Sequence, residues 1–490
     1  MRDVWIQMMM SGILAKDKTH TSEKIHVMDA MQDRHTSPRW DLKITQSGGA
    51  RYLQIVEFIE QAIGDGRLAA GDRVPPQRSL AKALGVDLTT VTRAYTEAKR
   101  RNLIDAKGAL GTFIAAPRAE LARVVDMSMN VPPPPAGLDF QDLLRRGLSQ
   151  VLLHSDPHLL MTYQLGGGSA TDRGAGVRWL TQVLGTVDAS RVIVCPGAQA
   201  AIAAMILSLT SPGDAIVTEP LTYPGIRAAV AQLGRRVITA RCDADGMLPD
   251  ALEAACANGA RLVYLNPTAQ NPSTHTMPAS RRADIARVAE RCHITILEDD
   301  PYWLLTPGAP PPLVHFAPAQ TYYVSTLSKT LSPGLRTAYV LLPVGARGDD
   351  LLAALRAFAL MAAPMTAALS SQWIHDGSAF QLLENIRTEA FARCELANRW
   401  LSGIGQLPPT GIHVWHRLPD HWSTHQLTRA ALAEDLRVTP SDAFCDGPSS
   451  PNAIRISLGG VDDRAQLSLA LRKLAALLER KPTINGELLV

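Results

Sequence analysis

The sequence predicts a multidomain protein: a small N-terminal helical unit closed by a hairpin, a large α/β unit, and a smaller α+β C-terminal lobe. Three observations predict this. Residues 52–115 read as helix, helix, tight turn, helix and two short strands. Beyond about residue 138, β-branched runs alternate with helical stretches. A proline run separates the two patterns. The length of 490 residues suits roughly two to four domains. A composition of 46% hydrophobic and 19% charged residues is that of an ordinary globular chain with a large core.

Each element has a local reason. The segment 16–39 is polar, of mixed charge and without an apolar period, so residues 1–46 are expected to form a disordered extension. Tyr52, Val56, Ile59 and Ile63 follow helical spacing, and Gly64, Asp65 and Gly66 stop that helix. A second helix is expected over 77–84, after Pro75-Pro76 and before Gly85. A third starts at Asp87, expected to cap it, and carries Val91, Ala94, Tyr95 and Ala98 on one face. Strands are expected over 103–106 and 112–115, with Gly108 and Gly111 marking the turn. This is the layout of a winged helix-turn-helix, assigned to 47–116. Leu80, Leu84, Val86, Val91 and Tyr95 read as its core. From Arg67 to Lys107 nine basic residues face four acids, a local excess of +5 where the whole chain carries +3. Such a patch on such a scaffold suits a phosphate backbone.

Residues 117–137 read as a linker, because Pro132-Pro133-Pro134-Pro135 favours extended backbone and cannot be helix interior. Residues 138–490 form the α/β unit. Helices are expected over 199–209, 226–233 and 280–292, and strands over 192–194, 215–218, 237–240, 262–265, 295–297, 322–325 and 337–342. Alternation of this kind implies a mainly parallel sheet covered on both faces. The smaller lobe is placed at about 345–485.

The six cysteines are scattered, with no Cys-x-x-Cys spacing and no accompanying histidine cluster. They read as reduced, with no metal site expected. No apolar run approaches the ~20 residues that span a bilayer, and Gln7 and Ser11 interrupt the apolar stretch near the start, so neither membrane span nor signal peptide is expected. The expected location is the cytoplasm.

Two groups of residues carry chemistry. In the first, Val74-Pro75-Pro76-Gln77-Arg78-Ser79-Leu80-Ala81, Leu84-Gly85-Val86, Thr90-Val91-Thr92-Arg93-Ala94-Tyr95 and Gly111-Thr112-Phe113-Ile114 together resemble the GntR-type winged helix. The resemblance implies operator DNA as partner, read in the major groove. Arg78 and Arg93 can fork onto phosphate or guanine. Thr89, Thr90 and Thr92 surround the start of the recognition helix, where a plain capping role is the alternative. Gly111 shapes the wing. Where that family has Pro-Ser before the first arginine, this chain has Pro76-Gln77, which removes a serine hydroxyl from phosphate binding.

The second group centres on Ser325-Thr326-Leu327-Ser328-Lys329-Thr330-Leu331-Ser332-Pro333-Gly334-Leu335-Arg336. A lysine directly after a β-run, flanked by hydroxyls and followed by Pro-Gly and an arginine, suits an amine that condenses with an aldehyde cofactor while its neighbours hold a phosphate. Over roughly 160–460 the sequence resembles the fold-type I aminotransferases. That resemblance implies pyridoxal 5'-phosphate as cofactor and Lys329 as its covalent partner. It implies phosphate contacts from Thr326, Ser328, Arg336 and the backbone of Gly197-Ala198-Gln199. It implies that Asp299, rather than Asp300, pairs with the pyridine nitrogen, that Tyr302 and Asn271 bond the ring hydroxyl, and that Tyr223 stacks on the ring. Arg455 would grip a substrate carboxylate. Tyr163 would reach the phosphate of a neighbouring subunit, which implies a homodimer. The usual Asn-Pro-Thr-Gly is altered here to Asn271-Pro272-Ser273-Thr274.

Both halves together resemble the MocR subgroup of GntR regulators, over nearly everything after residue 50. The resemblance implies a transcription regulator whose aminotransferase-like domain senses an amino acid or amine. Two alternatives stand beside it: a working aminotransferase that carries a DNA-binding appendage, and a regulator whose ligand is pyridoxal phosphate itself.

Overall fold

The computed structural model describes residues 50–65, 67–69, 71–101, 103–106, 108–115, 124–401, 410–445 and 450–482. The chain divides into two compact units, residues 1–122 and 123–490. The expected disorder of 1–46 and the first third of the expected linker, residues 117–123, lie outside the described residues.

The first unit runs α1 (Arg51–Gly64), β1 (Arg73–Val74), α2 (Gln77–Leu84), α3 (Leu88–Arg100), β2 (Ile104–Ala106) and β3 (Thr112–Ile114). Its core is the set the spacing singled out, Val56, Ile59, Leu80, Val91, Ala94, Tyr95 and Ala98, joined by Ile104 and Ile114. Leu84 and Val86 pack at its margin. Gly85 ends α2 in the left-handed region at φ 62°, where glycine avoids the Cβ clash. The expected hairpin gains a third strand, since β1 pairs antiparallel with β3 in the order β1-β3-β2. Two residues are too few to show a period of two. Asp87 occupies the cap position of α3, but its side chain makes no capping hydrogen bond; Thr90 and Val91 donate to its backbone carbonyl instead.

The second unit opens with β4 (Val125–Asp126), α4 (Phe140–His154) and α5 (Ala170–Leu184). Next come β5 (Val192–Cys195), α6 (Ala198–Leu209), β6 (Ala215–Thr218), α7 (Pro224–Gln232) and β7 (Arg236–Thr239). Then follow β8 (Ala260–Leu265), α8 (Ala279–Cys292), β9 (Thr295–Asp299), β10 (Thr321–Thr326) and β11 (Ala338–Leu341). The chain continues with α9 (Asp349–Phe358), α10 (Pro364–Asp376), α11 (Ser378–Leu401), β12 (His413–Arg417) and α12 (Thr424–Ala433). It closes with β13 (Leu436–Arg437), β14 (Thr439–Pro440), β15 (Ala453–Ser457) and α13 (Arg464–Glu479).

Seven strands form the large sheet in the order β5-β11-β10-β9-β8-β6-β7. All neighbours are parallel except at β11, which runs antiparallel to both β10 and β5. Every strand of that sheet except the edge strand β7 is buried along nearly its whole length, as expected of a sheet covered by helices on both faces.

Two expected boundaries are corrected. The sequence places the linker through residue 137, yet β4 pairs with β13 of the smaller lobe, and Met127 is fully buried in that lobe's core. Residues from 124 onward therefore belong to the second unit, and only Pro132–Pro135 keep the extended, unpaired backbone that the prolines dictate. The smaller lobe was drawn from about 345. Instead α9 packs on α6, and Leu369 and Trp373 of α10 sit in the core of the large sheet with Trp179 and Tyr323. The lobe's own core begins at Cys394, in the second half of α11, and continues through β12, β15 and α13. A helical pattern shows which face is apolar but not which core that face meets.

Candidate functional sites: a cleft around Lys329 and a basic recognition helix

The parallel strands of the large sheet deliver their C-terminal ends to one cleft of about 530 Å³. This edge is where open α/β sheets bind ligands, because the loops and helix N-termini that follow the strands converge there. Of the residues singled out in the sequence, Ala198, Gln199, Tyr223, Asn271, Asp299, Tyr302, Thr326, Ser328, Lys329, Arg336 and Arg455 all line it.

Lys329 sits in a one-turn helix directly after β10. Its amine is largely withdrawn from water, which pushes its pKa down to about 8, with the Arg455 charge adding to the effect. Nζ donates to the carbonyl of Asn130 at 2.5 Å.

Asp299 ends β9 and is 5% exposed. One carboxylate oxygen accepts from Tyr264 Oη at 2.7 Å, while Oδ1 is buried without a hydrogen-bond partner among the described residues. Burial pushes its pKa up to about 6, against the opposing pull of Tyr264 and Lys329. Its neighbour Asp300 points elsewhere, toward Thr268 Oγ1 at 3.4 Å and Tyr323 Oη at 3.5 Å. Only Asp299 reaches the cleft. A buried carboxylate oxygen with nothing to accept from is costly. A protonated ring nitrogen would satisfy it.

Thr326 and Ser328 flank the lysine. Thr326 Oγ1 accepts from the Ser328 amide at 3.2 Å, and no hydrogen bond involves Ser328 Oγ among the described residues. Arg336 adopts φ 46° after a short turn and makes no ion pair among the described residues. The amides of Ala198 and Gln199 open α6, and no backbone carbonyl accepts from them. Free amides at a helix start, an unpaired guanidinium and two hydroxyls form a donor set suited to a phosphate.

Gly197 differs from expectation. Its own amide donates to the Cys195 carbonyl at 2.8 Å, and it does not line the cleft. Its contribution is room: a Cβ there would lie 2.7 Å from Arg336 Nη2, at φ 91°. Glycine is needed so that the guanidinium can sit against the backbone.

Arg455, in the buried strand β15, donates to Asn271 Oδ1 at 2.8 Å and to the Ser128 carbonyl at 2.5 Å, lies over the Phe444 ring, and keeps Nε unpartnered. Desolvation lowers its pKa from the usual arginine value. Tyr302 is buried and its hydroxyl accepts from Asn130 Nδ2 at 2.9 Å. Tyr163 is 69% exposed and does not line the cleft, so its expected role depends on a second subunit.

Four residues of the site escaped the sequence reading. Tyr264 orients Asp299 from the adjacent strand. Asn266 ties the β8 end to β9 by donating to the Asp299 carbonyl at 2.6 Å, and accepts from the Asn271 amide at 2.8 Å. Asn130 and His413 meet at 3.2 Å beside Tyr302, and burial drives the His413 pKa down to about 3, so the ring is neutral. Tyr264 lies on the strand that leads toward Asn271 and Asn266 directly follows its end, which was the signal available. Asn130 was hidden because its segment read as linker.

In the first unit, Arg78 at the start of α2 and Thr89 at the start of α3 are exposed, and Thr90 is half-buried. Thr92 Oγ1 lies 2.9 Å from both Gln77 Oε1 and the Leu88 carbonyl, between which its single proton is shared. Gln77, which stands where a serine is usual, thus joins the two helices of the motif. Arg93 is exposed and stacks over the Tyr52 ring at 4.6 Å. Gly111 has φ 109°, and a Cβ there would meet Arg73 Nε at 3.2 Å, which places Arg73 at the base of the wing. The Tyr95 hydroxyl donates to the Pro75 carbonyl at 2.6 Å and braces α3 against the entry to α2.

Comparison with known proteins agrees with both units. Residues 123–474 match the model for aminotransferase class I and II, and residues 51–114 match bacterial regulatory proteins of the gntR family. The chain belongs to the aminotransferase class I and II family and carries a gntR-family helix-turn-helix ahead of that domain, the MocR arrangement. It is 28% identical to the HTH-type transcriptional regulator YdeF of Bacillus subtilis, over 90% of this chain and 97% of that one. It is 28% identical to the vitamin B6 salvage pathway transcriptional repressor PtsJ of Salmonella typhimurium, over 85% and 96%. Among solved structures it is similar in fold to an archaeal alanine:glyoxylate aminotransferase, at a TM-score of 0.66 and 23% identity, covering 72% of this chain and 90% of that one.

Proposed function

We propose that the protein is a DNA-binding transcription regulator that uses pyridoxal 5'-phosphate in its aminotransferase-like domain to sense an amino compound. The observation that carries this reading is the pairing, across one cleft, of a desolvated lysine amine with a buried carboxylate oxygen that lacks a partner. When bound, the cofactor supplies an aldehyde that condenses reversibly with amines and a ring that withdraws electrons. The chain's own residues do the rest. Lys329, its pKa near 8, keeps roughly a tenth of its amine neutral at pH 7, whereas an unperturbed lysine keeps well under a thousandth. Asp299 holds a proton on the ring nitrogen. Ala198, Gln199, Thr326, Ser328 and Arg336 hold the phosphate, and Tyr223, Asn271 and Tyr302 orient the ring. Arg455 selects ligands that carry a carboxylate. In a homodimer Tyr163 adds a contact to the partner's phosphate. Arg78, Thr89, Thr90, Thr92 and Arg93 face the operator, with Gly111 shaping the wing. The protein acts in the cytoplasm; no helix among the described residues is long and apolar enough to cross a membrane.

The test is a titration of purified holoprotein with a panel of amino acids and amines, following the cofactor absorbance and operator affinity together. A ligand that changes both supports sensing. Survival of ligand-dependent operator binding in Lys329→Ala would overturn it. Similarity to a repressor of vitamin B6 salvage favours a second reading, in which pyridoxal phosphate is itself the signal. Operator affinity would then follow the cofactor alone, with no further response to any amine.

A further inference from the structure

The two cations at the heart of the cleft hold the same short piece of backbone. Lys329 Nζ donates to the carbonyl of Asn130 and Arg455 Nη2 to the carbonyl of Ser128, both at 2.5 Å. In the sequence this piece lies five residues beyond 116–123, the stretch that joins the winged helix to the aminotransferase-like unit. The segment crosses from the smaller lobe to the cleft. Its amides at Val125 and Met127 donate to the carbonyls of Asp435 and Arg437 at 2.7 and 2.9 Å. Asn130, 6% exposed, bonds Tyr302 and His413 through its Nδ2 and leaves its Oδ1 buried without a partner among the described residues.

From this juxtaposition we infer that residues 125–131 are a ligand-responsive strap: the cofactor takes Lys329 from the Asn130 carbonyl, an effector carboxylate then takes Arg455 from the Ser128 carbonyl, and this second release is what the DNA-binding unit reads. This rests on the sensing function proposed above. The argument is one of competition. A carboxylate is a stronger acceptor for a guanidinium than a neutral backbone carbonyl. A ligand held by Arg455 therefore displaces Ser128 or shares its donor at a loss. Lys329 holds Asn130 through the same nitrogen that a carbonyl cofactor engages. Buried carbonyls left without donors are unfavourable, so the strap's preferred position differs between holoprotein without and with a carboxylate effector on Arg455. That difference is the free energy available for coupling.

The strap can be moved from a position that does not itself line the cleft. Gly459 lies under it, and a Cβ there would come 1.8 Å from the Val131 carbonyl oxygen, so Gly459→Ala must push the strap away. In Gly459→Ala holoprotein the effector is expected to change the cofactor absorbance as in wild type. Its effect on operator affinity should shrink at least tenfold. Hydrogen exchange on wild-type holoprotein gives an independent reading that needs no variant. The amides of 124–131 should exchange at least tenfold faster with effector than without. If effector changes absorbance and operator affinity in wild type while exchange at 124–131 is unchanged, the strap is wrong and the sensor stands. If Gly459→Ala folds and keeps full coupling, the strap is likewise wrong. If effector changes no absorbance even in wild type, the sensing function itself fails.

Discussion

At the scale of single residues, burial sets the chemistry. Lys329 and Asp299 are shifted in opposite directions by one cause, desolvation, and each shift favours the neutral form of its group. Capture of pyridoxal phosphate by the apoprotein should therefore quicken as pH rises from 6, reach half its limit near pH 8 and level off by about pH 9, followed as growth of absorbance. A free-lysine profile, still rising beyond pH 9, would show that the amine is not buried as described. Removing the carboxylate charge with Asp299→Asn should leave capture intact, since Lys329 remains. It should lower the share of protonated ring and weaken retention of the cofactor by at least tenfold in a dialysis assay. Asp299 and Asn271 were legible in the sequence because they stand in fixed short motifs. Asn130, Tyr264 and His413 were not, because a lone polar residue in a strand or an extended segment gives no sign of which cleft it will face.

Between elements, close approach of backbone and side chain decides more than propensity does. The start of α6 can meet Arg336 only because residue 197 has no side chain and accepts φ 91°. Gly197→Ala combines a strained dihedral with a contact of 2.7 Å and should cost about 1–2 kcal/mol in stability, read by thermal denaturation. Its larger effect should be on phosphate binding, since Arg336 must give way. In the winged helix, Tyr95→Phe deletes the hydroxyl that bridges α3 to Pro75. The expected loss is about 1 kcal/mol, with the Pro75 carbonyl left unsatisfied. No expectation covered α4 or α5; the strands of the large sheet and the helices α1, α3, α6, α7 and α8 were legible from periodicity. The two-residue strands β1 and β4 were not, since pairing partners far away in sequence define them. That is also why the linker was drawn too long.

For the molecule as a whole, stability and cofactor are linked through buried acids. Glu298, Asp299 and Asp300 sit in series at the end of β9, and burial raises their pKa values to about 8, 6 and 7. An acid whose folded pKa lies above its unfolded one stabilises the fold only while protonated. That contribution is full below about pH 4 and is lost as pH climbs through 6 to 8. The apoprotein should accordingly lose thermal stability as pH rises from about 4 to 8. The holoprotein should lose less, because Asp299 then faces a cation. Parallel melts with and without cofactor would show the gap widening with pH.

The account depends most on the bond between Lys329 and the cofactor. Borohydride reduction of the native holoprotein followed by peptide mapping should place a phosphopyridoxyl group on the peptide that contains Lys329 and on no other. A protein that carries no such group after incubation with pyridoxal phosphate, or carries it on a different lysine, would contradict the account.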